Sequence, residues 1–465
     1  MQETPTKNQE LTENLKEKIT GDVWSRGDAG YETARAAWNL IIDHQPDLIV
    51  VAQSEQDVVE AVRFAREHDL PVAVQATGHG QPRHCREGML LVVRNLNTVQ
   101  IDPVAKTATV GGGTKWGEVI PLACEHGLLP VSGSAPDVGV VGYTVGGGYG
   151  ILSRKLGLAS DSVLSFRIVT PQGELKVASP SENADLFWAV LGGGGAYGVI
   201  TQMTQQLYEH GDLFAGSVMF DASLAEDVYP AYVAWTKTLP DEVSSAINMI
   251  TFPPVPFVPE FLHGRSMVIV VAAALADPAQ AEKMLAPIRN MPGAEFDAFR
   301  PMSYTESGDI YRDPVDPLPV RGRGVLIKDL DETTIREFLA AVGPASQSPN
   351  LMIQIRHLDG AMAKPGRHPN STADRRQAKY LVYFLGVPMG PVTPQMMTDH
   401  AEGAFNALGD AVYSRGPLNF LGEGEVASED IRHVYAADEY ARLQAIKHSV
   451  DPSNRFRWAG VGLKD

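Results

Sequence analysis

Glycine marks where chemistry can take place in this chain. It gathers in three segments: the loop Gln75-Ala76-Thr77-Gly78-His79-Gly80, the run 131–150 (VSGSAPDVGVVGYTVGGGYG), and 192–201. A backbone so poor in side chains can pass close to something flat or charged. The run 131–150 reads as a poor helix former, because glycine loses the most freedom on ordering and its Val neighbours are stiff at χ1. A Gly-x-Gly-x-x-Gly loop after a strand would hold a pyrophosphate at a helix N-terminus. Here the first strand lacks that fingerprint, no acidic residue stands at the matching distance, and the clusters spread over more than a hundred residues. Three dispersed loops on one extended ligand suit FAD better than NAD, with plain tight turns in a β-rich domain as the alternative.

Outside the glycine segments, alternation along Leu351–Leu358 puts Gln354 and Arg356 on one face of a strand and Ile355 and His357 on the other. Tyr383, on the strand Tyr380–Val387, brings a phenol that could take a proton from a substrate hydroxyl if its pKa were lowered. Gln354 cannot act as a general base. Tyr143 brings a phenol into the glycine run, either as a hydrogen-bonding group or as a packing post. Only two cysteines are present, Cys85 and Cys124, which excludes a disulfide framework and a cysteine-only metal site, and no metal centre is expected.

The elements that must position these residues follow in order. A polar helix, loosely attached, is expected over 1–20, and helical apolar spacing over 31–42 turns Trp38 and Leu40 inward. A strand at 46–52 leads to Ser54 with Asp57 three positions on, an acidic variant of the capping box. An amphipathic helix and a strand at 70–74 then run into the His79 loop, completing a βαβ unit. Short strands follow at 89–93, 99–102, 107–110, 157–169 and 173–177, with helices at 116–126 and 185–190. Beyond 207 the strands lengthen: 215–220, 246–251, 266–272, 325–327, 351–358 and 380–387, interleaved with helices at 225–237, 278–288, 332–342 and 394–408. This pattern predicts an α+β unit with one open sheet face, suited to a substrate site over a cofactor.

At 465 residues the chain exceeds a single core, and two domains are expected. Hydrophobic residues at 44% and charged residues at 20% are ordinary for a soluble protein. The net charge of -17 argues against nucleic acid. No signal peptide pattern and no apolar run near the roughly 18 residues of a membrane helix is seen, so a cytoplasmic enzyme is expected.

Taken together, P-x-L-I-V-x-A, the G-H loop, S-G-x-x-P-x-V-G-x-x-G-x-x-x-G-G-G-Y-G-x-L-x-R-K-x-G-L-A-x-D, D-L-F-W-A-V-x-G-G-G-G-x-Y-G-V-I-T and D-P-x-N-x-F are specific. Their order resembles the FAD-linked oxidases of the vanillyl-alcohol-oxidase (PCMH-type FAD-binding) superfamily, most of all the berberine-bridge-enzyme-like oxidases, from about Asp47 to Arg457. The resemblance implies a two-part FAD-binding domain, 1–206 with its core about 44–206 and a C-terminal return at 413–465. Between the parts it implies an inserted α+β substrate domain, 207–412, built on an antiparallel sheet.

The resemblance also implies FAD joined through its 8α carbon to His79. The FAD would be held by Gln75, Ala76, Thr77, Gly78, Gly80, Gly133, Ser134, Val138, Gly139, Gly142, Tyr143, Gly146, Gly147, Gly198, Ile200 and Asn419. Ala135 stands where doubly attached relatives carry a cysteine, so a second link is excluded. Val138 matches the position that gates oxygen, where a small residue typifies oxidases. Tyr143 replaces a histidine of many relatives, and Pro417 replaces the tyrosine of their Tyr-x-Asn. That leaves Tyr143, Gln354, Arg356 and Tyr383 as catalytic candidates.

The implied activity is an oxidase taking a hydride from a C–H beside a hydroxyl or amine of a small organic substrate, a secondary metabolite by preference, onto flavin N5. O2 is the expected acceptor and H2O2 the product. The alternatives are a flavin-dependent oxygenase, a redox-neutral flavoprotein and, from outside the resemblance, an NAD dehydrogenase. The expected partners are the small molecule and O2, with no nucleic acid and no membrane, in a monomer or homodimer.

Overall fold

The computed structural model describes residues 7–80, 83–256, 258–371, 377–422 and 429–459. Its first sheet has four strands in the order Asp22–Ser25, Leu48–Val51, Met89–Val92, Val72–Gln75, the last three parallel. LIVV and MLLV are buried along their whole length, as a parallel sheet covered on both faces requires. The helix Glu55–Glu67 crosses between two of them. Ser54 caps it by accepting the Asp57 N–H at 3.1 Å, and Val58, Val62 and Phe64 go into the core. A second sheet is antiparallel, in the order 99–102, 107–111, 199–206, 163–169, 175–178.

The third sheet has eight antiparallel strands, ordered 300–302, 213–221, 266–275, 243–251, 352–357, 380–386, 321–327, 412–415. Val218, Phe220, Val268, Val270, Ile353 and Ile355 point to one face, where helices 225–236, 278–289, 332–342 and 394–407 pack on them. On the opposite face Ala215, Met267, Ile269 and Val271 join the core of the glycine-rich unit. The sheet is therefore one wall shared by two layers, its helices outside and the glycine loops inside. The molecule is α+β, as expected, with the longer sheet antiparallel.

Three local expectations fail for identifiable reasons. The polar N-terminal helix, Lys7–Lys16, is docked rather than loose, because Leu11 and Leu15 are buried against the first sheet. Helical structure after Tyr31 stops at Arg35, since Ala36 turns extended (ψ 130°), and Leu40 is exposed. Inside the glycine run, Val140–Val145 does form a short helix, with Val140, Val141, Thr144 and Val145 buried. Packing of that apolar side overrides weak propensity.

Candidate active site

His79 lies at the end of the strand Val72–Gln75. Gln75 turns inward, its Nε2 donating to Ala36 O at 2.9 Å. Gly78 has φ +78°, and a Cβ there would fall 2.6 Å from the Ala37 Cβ, so only glycine lets the loop lie against 36–39. Across that contact Trp38 N–H donates to Thr77 O and Asn39 N–H to Gly78 O. Trp38 then stacks on the imidazole of His79 at 4.3 Å and 15°. His79 Nδ1 is 2.8 Å from Thr77 Oγ1, and Nε2 is 3.1 Å from Asp137 Oδ2. Gly139 packs against Ala76 and Thr77. The first two glycine segments therefore meet at His79.

Within the run 131–150, Gly142 is exposed and has open space where a Cβ would be, as do Gly80 and Gly195. The turn holding Gly195 touches the helix that carries Gly142. Gly147 and Gly148 have φ of +117° and +76°. Asn419 reaches across from the turn 418–420: its Nδ2 donates to Tyr143 O, and its Oδ1 accepts the Gly148 N–H, both at 3.0 Å. A Cβ on Gly146 would come within 2.6 Å of the Asn419 amide. Asn419 thus holds the glycine backbone in shape with both ends of its amide.

Tyr143 packs edge-on to Trp116, with Gly133, Gly148 and Gly150 close around its ring. Burial pushes its phenol well above the ordinary range. Close packing around the ring is what the packing-post reading expects, and burial disfavours the phenolate. Gly198 and Ile200 also have packing explanations. A Cβ at Gly198 would meet Val169 O at 2.4 Å, and Ile200 is in the core. Val138 packs at the edge of that core.

The wall opposite is the inner face of the long sheet. Gln354 and Arg356 share that face, as alternation predicts. Gln354 Nε2 donates to Asn248 Oδ1 at 2.7 Å, and Arg356 Nη1 donates to Tyr149 O at 2.8 Å. The Arg356 guanidinium also lies 5.6 Å from the Tyr311 ring and 5.5 Å from Phe420. Tyr383 neighbours Gln354 across the ladder and meets Phe420 edge-on at 5.1 Å. Its hydroxyl lies over Gly322, where a Cβ would be 1.9 Å away. His357, on the other face, accepts from Arg154; burial drives its pKa down to about 2, so it is neutral and structural.

The segment 311–320 joins the two walls. Trp38 Nε1 donates to Val315 O, Asn39 pairs with both backbone groups of Val320, and Ser134 Oγ donates to Asp313. The residues that sequence reasoning missed are Trp38, Asp137, Asn248, Tyr311 and Asp313. Asp137, an acid inside a glycine run, was the one with a visible signal. Among the described residues no group of three or more His, Cys, Asp or Glu could hold a metal ion.

Open space beside Gly80, Gly142 and Gly195, together with the buried and unpartnered Asp137 Oδ1 and Tyr143 Oη, fits a large flat polar cofactor. The comparisons agree. Residues 46–179 match the FAD binding domain family. The (R)-6-hydroxynicotine oxidase of Paenarthrobacter nicotinovorans is 28% identical over 94% of this chain and 96% of its own. The crystal structure of a 6-hydroxy-D-nicotine oxidase from Arthrobacter nicotinovorans superposes with TM-score 0.81 at 25% identity, covering 95% of this chain and 97% of that one. A glucooligosaccharide oxidase from Acremonium strictum, with 6-S-cysteinyl, 8α-N1-histidyl FAD, shares the fold at TM-score 0.82 and 19% identity, over 98% of this chain and 99% of its own. Residues 46–179 form an FAD-binding domain, the cofactor is FAD, and the chain is an FAD-dependent oxidoreductase similar over most of its length to FAD-linked oxidases.

Proposed function

We propose that the chain is an oxidase of a small aromatic secondary metabolite, acting at a C–H bond beside a hydroxyl or amine, with O2 as final acceptor and H2O2 as product. The observation that carries this reading is the polar sheet face, Asn248, Gln354, Arg356 and Tyr383, turned toward the glycine run and tied to it through Tyr149 O. Bound FAD supplies a two-electron acceptor that O2 can reoxidise. The backbone of 76–80 and 139–147 would hold it, with His79 as covalent tether; Ala135 offers no second one.

Tyr311 and Phe420, 5.6 and 5.5 Å from the Arg356 guanidinium, suit an aromatic ring. Arg356 orients the substrate from there. Gln354, its amide already engaged by Asn248, holds Arg356 through Nε at 3.2 Å. Tyr383, whose hydroxyl occupies the room that Gly322 leaves, would take the proton of a substrate hydroxyl. The hydroxynicotine oxidase similarity favours an amine over a sugar.

Aerobic incubation with a panel of aromatic amines and alcohols should release H2O2 in step with product, and Tyr383→Phe should lower kcat by about 10²–10⁴-fold. Undiminished peroxide release by Tyr383→Phe would remove that residue from the role. Product without peroxide would turn the reading to an oxygenase or a redox-neutral flavoprotein, which Pro417 in place of tyrosine keeps as the second possibility.

A further inference from the structure

We propose that Asp137 is the positioning residue that makes His79 able to join the flavin: it keeps the imidazole proton on Nε2 and accepts that proton as Nδ1 bonds to carbon. The inference rests on the reading that His79 is the tether. A carboxylate can only accept, so the 3.1 Å contact with Asp137 Oδ2 fixes hydrogen on Nε2 and leaves the lone pair on Nδ1. The Thr77 hydroxyl, 2.8 Å away, donates to that lone pair. Trp38, stacked at 4.3 Å and 15°, sets the ring plane.

Asp137 is itself held on both sides. Pro136 O accepts the Gly117 N–H at 2.7 Å, and Val138 O accepts the Trp116 N–H at 3.1 Å, so the carboxylate is aimed by two anchored neighbours. Its Oδ1 is buried without a partner. Nucleophile, proton acceptor and orienting group stand in the order that an activated histidine needs.

In the joining step a C–H bond of the flavin 8α-methyl breaks and a bond from Nδ1 to that carbon forms. The electron pair of the broken bond reduces the ring, the methyl proton goes to the reduced ring, and the Nε2 proton passes to Asp137. Dioxygen, the oxidant of the proposed reaction, then takes the pair and both protons away as H2O2, leaving oxidised flavin on a neutral imidazole.

The test uses the full-length protein loaded with FAD, denatured, and read by in-gel flavin fluorescence and by identification of the linked nitrogen in a proteolytic flavin peptide. Wild type should keep its flavin, joined through Nδ1. Asp137→Asn should still bind FAD, seen in its visible spectrum, while the share retained after denaturation falls at least tenfold at a fixed time. Equal retention in wild type and Asp137→Asn, or a link through Nε2, overturns the proposal. The wild-type linkage decides the matter even if Asp137→Asn does not load. Complete release of flavin by wild type overturns the tether reading itself, and the proposal with it.

Discussion

Asp313 is the side chain most at odds with its surroundings. The residue is exposed, yet enough protein surrounds its carboxyl for burial to lift its pKa above the ordinary range. The Ser134 hydroxyl and Arg356 charge act the other way, and Asp137 adds to the rise. A raised carboxyl means that the folded chain binds more protons than the unfolded one, so stability falls as pH rises from the unfolded value, about 3.9, through the folded one. Asp313→Asn should therefore raise Tm at pH 7–8 and lose that advantage near pH 3. A Tm difference independent of pH would refute the assignment.

What was legible at this scale follows local chemistry. His79, Thr77 and Gly78 announce themselves as a polar loop with glycine. Trp38 does not, because its neighbours Tyr31, Ala34 and Ala37 space like a helix, and only the meeting of 36–39 with 77–78 brings it onto the imidazole. Asn248 and Asp313 become site residues only through strand pairing and a long loop.

Strand elements were read well where alternation is strong. The strands 213–221, 243–251, 266–275, 352–357 and 380–386 come within a few residues of expectation, whereas the edge strands 300–302 and 412–415 are too short to show a period. The inner face of 321–327 shows why glycine recurs there as RGRG. Gly322 leaves the room that the Tyr383 hydroxyl occupies. Gly322→Ala should displace that ring, cost about 1–3 kcal/mol in denaturant unfolding, and lower turnover along with Tyr383→Phe. A variant with wild-type stability and turnover would show that the ring has other room.

For the whole molecule, the D-P-x-N-x-F motif proves to be a clasp. Asp451 pairs with Lys447 at 2.6 Å, both fully buried, and accepts the Arg455 and Phe456 N–H groups. Lys447 also donates to Ala196 O at 2.7 Å, although burial, with the Arg457 charge, pulls its pKa down against Asp451. Lys447→Met would strand the Asp451 charge, at about 3–5 kcal/mol by urea unfolding. Less than about 1 kcal/mol would mean that Asp451 is protonated or hydrated once alone. The motif's spacing was visible in the sequence, but its partners, 250 to 390 residues upstream, were not.

That clasp has a consequence for biosynthesis. Arg455 O receives the Val72 N–H, and its guanidinium bonds Ala65 O and Leu70 O, 390 and 385 positions upstream, so the strand leading to His79 is secured by a residue translated long after it. A nascent chain carries an unfinished cradle until residue 455 has left the ribosome. Vitamin supply after residue 455 emerges, rather than before it, should therefore set how much of the protein matures.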